Sequence, residues 1–304
     1  MKKLLPYITG LSASMIFGFS FLFTKTAIDF VTPFHFLAYR FSFAFAFLSF
    51  LKAVGLLKTK ISVKSLKDLG FLAFVQPLLY FSLEITGINL TTSMEAGIII
   101  STIPVFVLIL SRIFLKEFLN TLQLFSMFLS MAGVLLITFS RGLSFSKNLA
   151  GVLFLVACSF SAAIYNILSR KASTKYTAAD ITYHMMLFGF VGFGIIAFLG
   201  SLINGEVSLF LQGLAIKEVL ISALYLGVLS SAVTFFLLNY TLSKIPATRA
   251  SVFPYVSTAV ALFAGFVFRN ERLTSLGIIG AVMIFLGVWW INAFASKQKL
   301  EGLK

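Results

Sequence analysis

Gln76, Tyr80 and Glu84 recur at intervals of four within the apolar run LGFLAFVQPLLYFSLEITGI. On a helix that spacing places an amide, a phenol and a carboxylate on one face. Pro77 removes a backbone donor beside Gln76, which bends a helix or frees a carbonyl. Arg40 sits about two turns into another apolar run, FHFLAYRFSFAFAFLSF. A charge at the centre of a membrane helix costs about 2.5–3.5 kcal/mol on insertion scales, so such residues are rare and mark sites or relays. Arg40 and Glu84 fall at similar depth, and an ion pair between them is expected. It could be structural, an outer gate, or a receptor for the two charges of a zwitterion. Glu84 is also a candidate for carrying a coupling proton.

Other polar groups fall in apolar runs. Ser101 and Thr102 precede Pro104; Ser161, Tyr165, Asn166 and Ser169 share a later run; Thr234 and Tyr255 lie in two more. The candidate solute-binding set is therefore Arg40, Gln76, Tyr80, Glu84, Ser101, Tyr165, Asn166, Thr234 and Tyr255. His184 is a second, weaker candidate for proton coupling. Glu95 reads as an acidic residue at a helix N-terminus, where it favours the dipole. His35 and His184 have no metal-ligand spacing, and the lone Cys158 can form no internal disulfide. No metal or cofactor is expected. No Walker lysine, HExxH or GxSxG motif occurs, so direct ATP drive and hydrolase chemistry have no support.

The elements that carry these residues are dictated by lipid. The chain has 304 residues, 59% of them hydrophobic and 11% charged, with 37 Phe; soluble domains are about a quarter charged. Runs near 20 apolar residues are long enough to cross a bilayer as helices. Ten are found, at approximately 4–24, 33–57, 69–89, 94–115, 120–140, 149–169, 180–204, 217–242, 248–268 and 274–295. The N-terminal run exceeds the core of a signal peptide and lacks a cleavage motif, so it reads as a retained first span. The net charge of +14 is explained by topology. With both termini cytoplasmic, seventeen Lys and Arg lie inside and six outside, as the positive-inside rule requires. The basic residues sit at run ends and form no nucleic-acid-binding stripe.

The chain also repeats itself. LKEFLNTLQLFSMFLSMAGVLLI begins at Leu115, and RNERLTSLGIIGAVMIFLGVWWI at Arg269, 154 residues later. Glu117, Gly133 and Val134 fall on Glu271, Gly287 and Val288. At an offset of 145, LFTKTA meets ILSRKA, so Lys25 falls on Arg170. The expected fold is all-α and integral to the membrane, with five helices in residues 1–145 and five in 146–304. Five is odd, so the second repeat is inverted, a plan found in transporters with alternating access. Ser126, Ser130, Gly133, Gly277, Gly280 and Gly287 allow the fifth and tenth helices to approach a neighbour closely, either inside the chain or at a homodimer seam.

These motifs resemble the EamA family of the drug/metabolite transporter superfamily. Pro104, Glu117, Gly133 and Val134 match the pattern in the first half. In the second, Glu271, Gly287 and Val288 match, while Thr258 stands where a proline is usual. Lys25 and Arg170 match the base that ends the first helix of each repeat. Phe17 and Ala162 stand where a tryptophan is common. The resemblance implies a central cavity between helices 1–4 and 6–9, with helices 5 and 10 at the side. It implies a secondary transporter of the cytoplasmic membrane, exporting a small metabolite such as an amino acid or a related amphipathic compound. The expected partners are that solute and membrane lipids, with the protein a monomer or homodimer. The competing readings are a lipid-acting membrane enzyme, which would need clustered acid, base or metal groups, and a structural or regulatory membrane protein without flux.

Overall fold

Local chemistry sets where each helix begins. In the computed structural model, which describes residues 4–90, 99–140, 149–205, 207–269 and 274–301, proline opens helix α1 (Leu5–Ile28) and helix α2 (Pro33–Ala53) within their first two positions. Proline suits those positions because the first amides of a helix lack intrahelical partners. Ser62 and Ser65 cap helix α3 (Val63–Leu90) reciprocally, each side chain accepting from the other's backbone amide. Helix α4 (Ile103–Phe114) starts at Pro104. Helix α5 (Thr121–Ser140) is held by Asn120 and Gln123, whose side-chain oxygens accept each other's amides at 3.1 and 2.8 Å. Helix α6 (Leu149–Ala172) leads to helix α7 (Ala178–Asn204), where Thr177 and Asp180 form another capping box and left-handed Gly205 closes the far end. A short helix at Val207–Gln212 follows, then helix α8 (Lys217–Lys244), a single turn at Ala247–Ala250, helix α9 (Pro254–Arg269) and helix α10 (Ser275–Glu301). Among the described residues there is no strand.

Five helices, α2, α3, α6, α7 and α8, are long and apolar enough to span a bilayer, and shorter apolar helices accompany them. Phe125 and Phe128 on α5, Ile195, Phe198 and Leu199 on α7, and Ile279, Val282 and Trp289 on α10 stand exposed. So large an apolar surface belongs in acyl chains rather than water.

Two helices are not regular, and both irregularities fall at equivalent places. Gln76 is extended (φ −142°, ψ 116°), so α3 breaks there and resumes as a regular helix at Tyr80. The residue before a proline disfavours helical geometry, which accounts for the break beside Pro77. The peptide bond joining them is cis. In α8 the turns widen over Tyr225–Val233 and tighten again at Thr234. At the 154-residue offset, 74–79 of α3 fall on 228–233 of α8. The fourth and ninth runs are also interrupted, at Ser101–Thr102 and Ser251–Phe253, each just before a helix that opens on proline.

Helices from the two parts of the sequence interleave: α1 packs on α8 and α9, α2 on α7 and α8, α3 on α6 and α7, and α5 on α10. The α5–α10 contact is backbone to backbone. A Cβ on Gly133 would lie 2.5 Å from the Gly280 carbonyl oxygen, and one on Gly280 equally close to that of Gly133. The small residues of these two helices thus pack within the chain.

Candidate functional site

Arg40 is buried where α2 crosses the widened turn of α8. Gly227 permits that crossing, since a Cβ there would stand 2.6 Å from the Arg40 carbonyl oxygen. The guanidinium donates through Nε to Ser231 Oγ at 2.8 Å and through Nη2 to Ser230 Oγ at 3.4 Å. It lies 4.4 Å from the centre of the Phe81 ring, within cation–π range. Ser230 in turn shares a 2.7 Å hydrogen bond with Ser20 of α1. Four helices therefore converge on one buried cation.

Glu84 lies one helical turn beyond Phe81, the ring that Arg40 faces. The expected direct ion pair is absent: among the described residues, no oxygen of Glu84 comes within 4.0 Å of the guanidinium. Glu84 Oε1 accepts from Tyr80 Oη at 2.9 Å, and Arg40 turns to the serines and Phe81 instead. The two opposite charges are thus held near one another but separately, each by neutral partners.

The remaining candidates divide between this centre and other places. Tyr80 and Glu84 share a helical face, but Gln76 does not continue it, because the chain is extended at that residue. Its Oε1 is buried with no partner, as is Tyr255 Oη on α9. Thr234 closes the widened turn by donating to the Leu229 carbonyl at 2.9 Å. Asn166 donates to Ala162 of its own helix at 2.8 Å, and Ser101 is buried in the turn before α4. Tyr165 belongs to a second cluster: Asn239 Oδ1 accepts from Tyr165 Oη at 2.9 Å and from Ser169 Oγ at 2.6 Å, while its Nδ2 donates to Thr182 Oγ1 at 2.9 Å. His184 sits apart. Its ring nitrogens meet Ser65 Oγ and the Asp180 carbonyl. Ser65 and Glu84 are nineteen residues apart, on either side of the break in α3, so His184 is at the opposite end from Glu84. Glu95 and Glu271 lie outside the described residues.

Phe235 connects the two clusters, edge-on to Phe81 at 6.2 Å and to Tyr165 at 6.0 Å. Ser231, Phe235, Asn239 and Leu242 follow one face of α8, in steps of four, four and three. At the end of this stripe Arg170 Nη1 donates to the Leu242 carbonyl at 2.9 Å, and its Nε lies 3.5 Å from Glu117 Oε1. Glu117 Oε2 also accepts from the Thr248 amide at 3.2 Å. An aromatic and polar line therefore runs from Arg40 to a closed ionic contact between the two parts of the chain.

Ser230, Ser231 and Asn239 escaped the sequence reading. Ser230 had a signal: at 154 residues it is the counterpart of Gln76, as Thr234 is of Tyr80. Among the described residues no group of three His, Cys, Asp or Glu side chains could hold a metal ion.

This arrangement of apolar helices around a few buried polar anchors has known relatives. The profile of the EamA-like transporter family matches the chain twice, over residues 4–139 and 149–293. The chain belongs to the EamA-like transporter family. A Bacillus subtilis (strain 168) relative named Uncharacterized transporter YcxC is 39% identical over 293 residues, covering 96% of this chain and 94% of its own. A more distant relative from Streptantibioticus cattleyicolor, named Probable terminal-alkyne amino-acid exporter, is 24% identical over 206 residues, 68% of this chain and 66% of its own. A solved crystal structure shares the fold with a TM-score of 0.75 at 15% identity, over 96% of this chain and 98% of that one. As an EamA-like protein the chain is a multi-pass membrane transporter.

Proposed function

We propose that this EamA-like transporter exports small zwitterionic or amphipathic metabolites, amino acids or their relatives, across the cytoplasmic membrane without ATP. The observation that carries the substrate class is the separation of Arg40 from Glu84. A buried cation and carboxylate that paired fully would be costly to reopen. Here each is held by neutral hydroxyls, so a solute's carboxylate and ammonium can take the opposing charges. Phe81, Phe41 and Phe235 supply the apolar wall that small-molecule sites commonly have. The exporter named for a terminal-alkyne amino acid supports the same class.

The mechanism proposed is alternating access between residues 1–145 and 146–304, arranged as two inverted five-helix repeats with both termini in the cytoplasm. The double family match and the irregular segments at equivalent places in α3 and α8 support that plan. Irregular turns let helices bend beside a bound solute while the regular ends move as levers. Arg40, Tyr80, Glu84, Ser230 and Ser231 form the solute centre, with Gln76 and Tyr255 offering unpartnered acceptor and hydroxyl groups. Glu84 carries the coupling proton.

The test is flux in proteoliposomes with imposed pH gradients. Wild-type flux of a neutral amino acid should be saturable and respond to the gradient. Glu84→Gln should remove the response at normal protein yield; an unchanged response rejects Glu84 as the proton carrier.

A further inference from the structure

A polar hollow of about 360 Å³ opens between the start of α3 and the connection from α6 to α7, rimmed by Lys60, Lys64 and Lys175. Its two carboxylates are already engaged by neutral donors. Asp180 Oδ1 accepts the Lys60 amide at 2.9 Å, and its Oδ2 accepts from Thr177 through both amide and hydroxyl. Asp68 Oδ2 accepts Tyr176 Oη at 2.8 Å, which holds that phenol above the ordinary tyrosine range and keeps it neutral. Among the described residues none of the three ammonium groups makes an ion pair with either carboxylate. The floor is fixed by the Ser62–Ser65 cap and by Ser65 bonded to buried His184. The hollow thus carries three lysines against two carboxylates, and the oxygens of those carboxylates are taken up by neutral donors rather than by the lysines.

Its setting identifies the ligand. Val63, Phe71 and Phe74 occupy one face of α3 at steps of eight and three, and all are exposed. That face runs from the lysine rim into the apolar zone. A molecule filling both would have an anionic head and an acyl tail. Basic hollows between membrane helices are suited to such headgroups.

We propose that Lys60, Lys64 and Lys175 bind the phosphate of an anionic phospholipid whose acyl chain lies along the Val63–Phe71–Phe74 face of α3. The site joins the α2–α3 connection to the α6–α7 connection, so the bound lipid bridges α3 and α7. It lies at the opposite end of α3 from Glu84 and is separate from the solute centre.

The test is native mass spectrometry of the full-length protein released from detergent with phosphatidylglycerol or phosphatidylcholine. Wild type should retain phosphatidylglycerol and not phosphatidylcholine; equal retention of the two overturns the proposal without any variant. Replacing Lys60, Lys64 and Lys175 by Gln together should cut phosphatidylglycerol retention at least about tenfold. The same replacement at Lys58, Lys116 and Lys217, and Arg at the three rim positions, should leave it intact. Equal loss in the control triple would make the binding a general surface-charge effect and overturn the site. Displacement of the lipid by millimolar inorganic phosphate, with no effect of acyl chain, would assign the hollow to a soluble phosphate and overturn the lipid reading.

Discussion

Glu117 and Arg170 meet at 3.5 Å, joining the end of α4 to the end of α6 across 53 residues of sequence. Both are partly shielded, and the carboxylate also holds the amide of Thr248 while the guanidinium holds the carbonyl of Leu242. The contact closes one end of the polar line that begins at Arg40. In the proposed alternating-access cycle that end would open.

Glu117→Gln should therefore loosen the closed end. A partly exposed pair contributes up to about 1 kcal/mol, enough to shift a two-state equilibrium several-fold. With Cys158 replaced by Ala, a Leu242→Cys probe should react several times faster with maleimide in the Glu117→Gln background. Identical labelling rates would show that the ion pair does not hold that end shut.

Tyr80 orients Glu84 through a single hydrogen bond. Tyr80→Ala should raise the apparent KM of the transported solute more than it lowers the amount of folded protein. Tyr80→Phe, which keeps the ring and removes the hydroxyl, should show a smaller rise. A fall in abundance with unchanged KM would make Tyr80 a packing residue.

Asn239 is fully buried and serves Tyr165, Ser169 and Thr182 at once. Hydrogen bonds between membrane helices average about 0.6 kcal/mol and reach about 1.7. Losing three together predicts a cost of about 2 kcal/mol for Asn239→Leu. Thermal unfolding of purified protein should show Tm lowered by several degrees; an unaltered Tm would contradict the hub.

The α5–α10 contact has no room for a side chain at Gly133. Gly133→Leu should destabilise by about 1–3 kcal/mol through overpacking. Gly194→Leu, where a Cβ meets nothing within 4 Å, should be tolerated. Equal thermal stability of the two variants would contradict the close approach.

The sequence made much of this legible because lipid imposes simple rules. Apolar run length located the long helices but not the short one at Val207–Gln212, and the rarity of charge in such runs singled out Arg40 and Glu84. The i, i+4 spacing correctly joined Tyr80 to Glu84. It failed for Gln76, where the proline effect on the preceding residue broke the helix the spacing assumed. The same effect split the ninth run before Pro254. Partners were harder to see. Arg40 is served by Ser230 and Ser231, some 190 residues away, and nothing in an apolar run says which hydroxyl faces which charge. The internal repeat could have helped, since it aligns Ser230 with Gln76. His184 shows the converse: a buried titratable group whose hydrogen bonds fix the base of α3 and α7 rather than the centre.

Counterflow of a neutral amino acid into proteoliposomes preloaded with the unlabelled compound tests the central claim most directly. Wild-type protein should show saturable counterflow, and Arg40→Gln, reconstituted at equal amount and with a Tm close to wild type, should reduce it at least about tenfold. Undiminished counterflow in Arg40→Gln would contradict a solute centre at the Arg40–Glu84 pair.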